Sequence, residues 1–144
     1  MVAKAEERLE QTVIRQFTVA AGNTVRRGFP VKFSGGNIVE AAAITDNAFG
    51  IALEAGNGDD TTPTTNPTTK VRVALFGNGV AKVLVGTGGA TQGAPAKFVS
   101  DGTTDATVGG GTGKLRVLGQ YMETGVVGDL VGINLGSAGW SVGS

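Results

Sequence analysis

The sequence has few side chains that could carry out chemistry, and their types exclude most kinds of active site. Among 144 residues there is no cysteine and no histidine. This removes thiolate nucleophiles, the commonest general base and the commonest ligand of transition metals. Ser34 and Ser100 therefore lack the base that would activate a serine nucleophile. We expect no enzyme activity, no catalytic residue, no metal site and no bound cofactor.

Glu54 and Glu123 are the carboxylates whose positions could matter for catalysis, because they occupy equivalent places in a repeated pattern. They would form a two-carboxylate site if folding brought the two copies of the pattern together. The alternative is that they face outward at the ends of equivalent strands. The pair Asp59-Asp60 lacks the spaced oxygen ligands and the turn glycine of a calcium loop, so it predicts a solvated loop.

The sequence shows no signature for phosphate, nucleic acid or membrane. Around Gly113-Lys114 a P-loop would need glycine where Val108 stands and Ser or Thr where Leu115 stands. The basic doublet Arg26-Arg27 lacks the platform of interleaved aromatic residues that single-strand binders use. The 12 Lys and Arg balance 12 Asp and Glu, so no net charge attracts nucleic acid. No run of apolar residues approaches the length needed to span a bilayer. We expect no nucleic-acid, membrane or small-molecule partner.

The strands that would position any site follow one pattern used twice. The segment Gly28–Phe33 returns as Gly93–Phe98, with Gly, Pro, Lys and Phe in register. Glycine accounts for 25 residues, and β-branched residues separate the glycines, which is typical of short strands joined by tight turns. The sequence therefore predicts an all-β fold, a small barrel or sandwich built from a twice-used β motif. Two further pairs keep the same order, Gly50–Gly56 with Gly119–Gly125 and Val71–Leu75 with Val131–Leu135.

Turn signals divide the chain into strands. Gly35-Gly36-Asn37 and Asp101-Gly102 each predict a β-hairpin, and Asn78-Gly79 predicts one between residues 70–76 and 80–85. Gly119 is expected to separate two strands at 114–118 and 120–123. Pro30 indicates an edge, a bulge or the start of a strand, because proline cannot donate to a ladder.

Composition divides the chain into an N-terminal arm (1–16), a β domain (17–136) and a Gly/Ser-rich tail (137–144). Within the domain, residues 56–69 are polar throughout and predict a mobile surface loop. Residues 1–11 contain good helix formers but are too short for a stable isolated helix. They are either a frayed terminus or an arm that orders only on a partner.

The order of these glycine-marked strands resembles a known family. The segments are Gly28–Val31, Gly35–Gly36, Asp46–Ala52, Val71–Gly77, Gly93–Phe98 and Gly128–Leu135. Together they are similar to the small head decoration, or capsid cement, proteins of tailed bacteriophages. The resemblance implies a compact β domain, often a homotrimer, that binds the major capsid protein on the outer surface of the expanded head and stabilises it. It also implies a virion protein made in the bacterial cytoplasm.

The arm carries the predicted capsid contact. A segment such as 11–17 can add a strand to an exposed edge of a shell subunit, with Leu9, Val13, Ile14 and Arg15 as contacts. Alternatively, Val13 and Ile14 begin the first strand of the domain. Trp140 is expected at an oligomer or capsid contact, or else as a lid on the domain's own core. The other candidate function is a carbohydrate- or surface-binding β module of a phage tail or fibre.

Overall fold

The computed structural model describes residues 12–41, 46–60, 68–98, 104–105, 114–137 and 139–142. These residues form β-strands, with one short 3-10 turn at Leu135–Ser137 and no α-helix among them, which confirms the all-β prediction. The strands are β1 Ile14–Thr18, β2 Thr24–Val25, β3 Pro30–Ser34, β4 Asn37–Glu40, β5 Gly50–Ala52, β6 Gly56–Asn57, β7 Lys70–Leu75, β8 Val80–Leu84, β9 Pro95–Phe98, β10 Thr104–Asp105, β11 Lys114–Tyr121, β12 Leu130–Asn134 and β13 Gly139–Val142.

The two main sheets have equivalent strand orders. The first sheet runs β1-β7-β5-β3-β4 and the second runs β8-β12-β11-β9-β10, with β13 also paired to β11. The strands of the two sheets therefore correspond one to one, in these pairs: β8 with β1, β12 with β7, β11 with β5, β9 with β3 and β10 with β4. We call the described residues up to 76 the first lobe and those from 79 onward the second lobe.

Hydrogen bonds outside the ladders repeat as well. Gly28 N donates to Ala52 O at 2.9 Å, and Gly93 N donates to Tyr121 O at 2.9 Å. The first pair belongs to the first lobe, and the second pair holds the same place in the second lobe. The twice-used motif predicted from the sequence is thus confirmed in the folded chain. Two further antiparallel contacts are equivalent, Val25 with Gly56 and Ala90 with Gly125.

The predicted hairpin at Asn78-Gly79 is wrong. Strand β7 pairs with β1 and β5, whereas β8 pairs with β12, so the turn connects the two sheets. Its backbone is held by the second lobe: Gly77 N donates to Leu135 O, and Leu135 N donates to Gly79 O. An Asn-Gly pair permits a tight reversal, but the pairing of the flanking strands is decided by their other partners.

The predicted break at Gly119 is also wrong, since β11 continues from Lys114 to Tyr121. Its register against β9 shifts between Val117 and Gly119. A Cβ at Gly119 would collide with the carbonyl oxygen of Asn134 in β12. This glycine therefore marks a close backbone approach beside a bulge, which is a second common meaning of glycine within a strand.

The other turn predictions hold. Strands β3 and β4 form a hairpin with Ser34 opposite Asn37, and both glycines between them have positive φ. Strand β10 pairs with β9, as predicted, although the turn itself at 99–103 lies outside the described residues. Pro30 starts β3.

The first lobe closes partly on itself, and the second lobe packs against it. Val19 and Ile38 form a parallel bridge that joins β1 to β4 at one end of the first sheet. The larger core cluster mixes both lobes, because Ile51 and Ala74 of the first lobe belong to the cluster that contains Leu118 and Ile133 of the second. The smaller cluster fills the first lobe and consists of Val19, Val25, Val31, Ile38, Ala52, Val71 and Val73.

Candidate interaction surface

The two equivalent glutamates serve the backbone. Glu54 Oε1 accepts a hydrogen bond from Arg72 N at 2.9 Å, and Glu123 Oε1 accepts one from Gly132 N at 2.9 Å. Arg72 and Gly132 hold equivalent places in β7 and β12. Each carboxylate thus stabilises its own lobe, in agreement with the strand-end alternative, and each is bound to a different strand.

The acidic pair in the long loop also bonds to the chain itself. Asp59 Oδ1 accepts from Gly22 N at 2.8 Å, and Asp60 Oδ2 accepts from Thr68 N at 3.1 Å and Thr68 Oγ1 at 2.6 Å. These contacts tie the base of the loop, while residues 61–67 lie outside the described part. Over the described residues there is no group of three or more Asp, Glu, His or Cys side chains that could hold a metal ion.

The structure places three of the predicted capsid-binding residues at the start of the first sheet. Ile14 and Arg15 belong to β1, and Val13 O accepts a hydrogen bond from Leu75 N of β7 at 2.9 Å. The arm as drawn from the sequence therefore ends inside a strand of the domain. Val13 and Ile14 are nevertheless 37% and 42% exposed. Leu9 lies outside the described residues.

Trp140 lies in the last strand of the second sheet. Its backbone is opposite Arg116 of β11, within the pairing of β13 with β11. The segment predicted as a Gly/Ser-rich tail thus contributes the strand Gly139–Val142.

The outer edge of β1 is uncovered at Gln16 within the described residues. Arg15 and Phe17 face Val73 and Val71 in the hydrogen-bonded register of the β1–β7 ladder, because Leu75 N bonds to Val13 O and bonded pairs recur at every second residue. The backbone N–H and C=O of Gln16, which lies between Arg15 and Phe17, therefore point away from β7. Within the described chain, neither the N–H nor the C=O of Gln16 has a hydrogen-bond partner.

Three phenylalanine side chains lie beside this edge, and we call them the phenylalanine cluster. The rings of Phe33 and Phe49 stack with centroids 4.0 Å apart, and Phe17 meets both edge-on at 5.5 and 5.1 Å. Phe33 is 56% exposed, although large apolar side chains stabilise a protein mainly by leaving water. The sequence did not predict this cluster, because its three residues are far apart in the chain and meet only in the folded lobe.

The equivalent edge in the second lobe is covered. Thr12 Oγ1 donates to Val80 O and accepts from Val80 N, both at 3.1 Å, and Leu84 N donates to Gly28 O at 3.3 Å. Val80 and Leu84 are the counterparts of Ile14 and Thr18, so the first lobe bonds to the edge of β8 at both ends of that strand. Nothing in the described chain covers β1 at Gln16.

A polar side chain lies on the outer face of the second lobe. Gln120, which stands where the first lobe has the buried Ile51, is exposed and donates from Nε2 to Gly93 O at 2.9 Å. In the first lobe the equivalent carbonyl, that of Gly28, accepts from Leu84 N instead. In the second lobe a polar side chain thus supplies the hydrogen bond that, in the first lobe, comes from the backbone of the neighbouring lobe. The hollow here has a volume of about 220 Å³ and is lined by Gly93, Pro95, Val117, Gly119 and Gln120.

No helix among the described residues is long and apolar enough to cross a membrane. No protein-family model matches the sequence. A search of curated proteins also finds no match.

Among solved structures, the fold is similar to the crystal structure of the N base of the head fiber protein gp8.5 of bacteriophage phi29. The TM-score is 0.59, the sequence identity is 20%, and the match covers 88% of this chain and 97% of that one. At this identity the likeness establishes a shared fold over almost the whole of both chains.

Proposed function

We propose that this chain is a non-enzymatic structural protein of a bacteriophage head that binds the outer surface of the expanded shell and stabilises it. The observation that carries the proposal is the fold shared with the base of a phage head fiber over 88% of the chain. A fold alone does not specify a function, so the local chemistry must also be compatible with the proposal.

The described surface suits binding better than catalysis. The repeat-equivalent glutamates and the acidic loop pair bond to the chain's own backbone. The features left over are a strand edge uncovered at Gln16 in the described chain and an aromatic cluster whose ring at Phe33 is exposed, both of which are typical of protein contacts. A protein that binds an assembled shell more tightly than free subunits stabilises the shell by mass action.

In this proposal the partner is the major capsid protein, and the chain acts as a homotrimer on the outside of the virion. Three linked copies that touch several subunits at once gain avidity without new contacts. The oligomer is checked by light scattering on the purified chain, where a mass of one or two chains would contradict the trimer.

Co-sedimentation with expanded, undecorated shells of the same phage tests the proposal. We expect the full chain to pellet at a saturating ratio and to raise the temperature at which the shells open. A matched sample of unexpanded shells is the control. Absence of saturable binding to expanded shells would contradict the proposed function.

A second candidate is supported by the same neighbour, which is the base of a fiber. In that case the chain anchors or forms part of a phage fibre and binds carbohydrate or another surface. A glycan-binding screen run beside the shell co-sedimentation separates the two candidates: saturable binding to shells without glycan binding supports the first, and glycan binding supports the second.

A further inference from the structure

We infer that the open edge of β1 and the phenylalanine cluster form one groove, which receives an extended segment of the shell subunit as an added β-strand. The inference rests on the proposed function, because it identifies the surface through which the shell is bound. This chain then receives a strand, whereas the hypothesis drawn from the sequence has the N-terminal arm donate one.

The backbone supplies the first reason. Both the N–H and the C=O of Gln16 point away from β7 and have no partner in the described chain. An unpaired strand edge accepts another strand through main-chain hydrogen bonds. The parallel bridge between Val19 and Ile38 closes the sheet further along β1, so the added strand lies alongside Ile14–Gln16.

The apolar side chains supply the second reason. Arg15, Phe17 and Val19 share one face of β1, because side chains alternate along a strand. That face contains Phe17, whose ring lies 5.5 Å from the ring of Phe33. An apolar side chain of an added strand would cover Phe33, which is 56% exposed. Exposed aromatic residues are frequent centres of binding energy in protein interfaces.

The charge of Arg15 defines the partner further. Its Nη1 donates to Ile14 O at 3.0 Å, and no carboxylate in the described chain forms an ion pair with it. Since Arg15 and Phe17 are two residues apart on one face, the matching segment carries an acidic and an apolar residue two positions apart. A hydrogen bond between the Arg15 guanidinium and that acidic side chain would fix the register of the added strand as well as strengthen its binding.

The second lobe shows that the fold does not require this groove. There the equivalent strand edge is covered by Thr12 and Gly28. The counterparts of Phe17 and Phe49 are Val83 and Leu118, and both are fully buried. The half-buried Phe17 and Phe49 and the strand edge that is uncovered at Gln16 in the described chain therefore occur in the same lobe.

The test compares two variants of one residue by co-sedimentation of the full chain with expanded shells. Gln16→Pro removes the N–H that points away from β7, a change that an edge strand tolerates on that side. Gln16→Ala keeps the N–H and is the matched control. We expect Gln16→Pro to bind about tenfold more weakly and Gln16→Ala to bind like the wild type. Phe33→Ser, at an exposed position, should also weaken binding at least tenfold.

Hydrogen exchange of the wild-type chain tests whether the groove is filled on shells, and it does not depend on folding of the proline variant. We expect the Gln16 amide to exchange fast in the free chain and slowly on shells. Wild-type binding that is unchanged by Gln16→Pro and Phe33→Ser, with no protection of Gln16, would overturn the inference and leave the proposed function standing. If the wild type does not bind shells at all, the proposed function fails and the inference fails with it.

Two other occupants are distinguished in the same experiment. Protection of Gln16 in the free full chain that disappears in a chain starting at Thr12 would show that residues 1–11 fill the groove. Protection in the free chain that rises with protein concentration would show a second copy there. Either result overturns the shell segment as occupant.

Discussion

Replacing Glu123 by alanine should destabilise the protein by about 1–2 kcal/mol, because it removes the acceptor for the N–H of Gly132. The Oε1–N distance is 2.9 Å and the bond is partly buried. Gly132 is buried in β12. Loss of the carboxylate therefore leaves a backbone donor with poor access to water. Glu123→Gln keeps an acceptor oxygen and should cost less than half as much.

The equivalent change in the first lobe is Glu54→Ala. Glu54 accepts from Arg72 N at 2.9 Å and also forms an ion pair with the guanidinium at 3.4 Å. The ion pair is exposed, with the arginine side chain 57% and the glutamate 38% accessible, so it contributes little. We therefore expect Glu54→Ala to destabilise by about the same 1–2 kcal/mol as Glu123→Ala.

Urea unfolding followed by circular dichroism measures the free energy of unfolding of both variants. In thermal unfolding, each kcal/mol lost should lower Tm by about 2–4 °C. Equal slopes of free energy against urea confirm that only stability has changed. If both alanine variants remain within about 0.3 kcal/mol of the wild type, the two glutamate–backbone hydrogen bonds do not stabilise the fold as expected. A large loss for Glu54→Ala that salt abolishes would instead assign the effect to the ion pair.

Four further changes test two glycines, the shared core and the long loop. Gly50→Ala places a Cβ 2.6 Å from the carbonyl oxygen of Ala74 and should cost more than 2 kcal/mol, whereas Gly93→Ala, which has open space but a φ of +88°, should cost about 1 kcal/mol; thermal unfolding compares the two. Leu118→Ala should cost about 2–5 kcal/mol in urea unfolding because Leu118 is fully buried where the lobes share a core. Replacing residues 57–68 by Val-Val-Gly, the equivalent turn of the second lobe, should leave the circular dichroism spectrum unchanged and the stability within about 1 kcal/mol; loss of cooperative unfolding would contradict this.

Much of the fold was predictable because its signals are local. Gly35 and Gly36 adopt the positive φ that a tight turn requires, and Pro30 stands at a strand start, where its missing N–H is harmless. The repeat was predictable for a different reason. The same backbone geometry needs the same residue types, so Gly28 and Gly93 recur with equivalent hydrogen bonds.

The site was less predictable, since exposure depends on what neighbouring strands cover. Phe17 and Phe49 are half-buried, whereas their counterparts Val83 and Leu118 are fully buried. Comparison of the two copies would have revealed that aromatic residues replace aliphatic ones in one lobe. It would not have revealed which lobe leaves an edge open.

The sequence by itself determined the all-β class, the duplicated motif and most of the turns, because glycine, proline and β-branched residues restrict the backbone locally. Only the tertiary structure decided that the Asn78-Gly79 turn joins two sheets, that Glu54 and Glu123 bind backbone amides, and that Gln16 lies on an open edge beside Phe33. These features depend on contacts between residues far apart in the chain. Each strand has two edges and two faces, and local sequence does not specify which partner covers them.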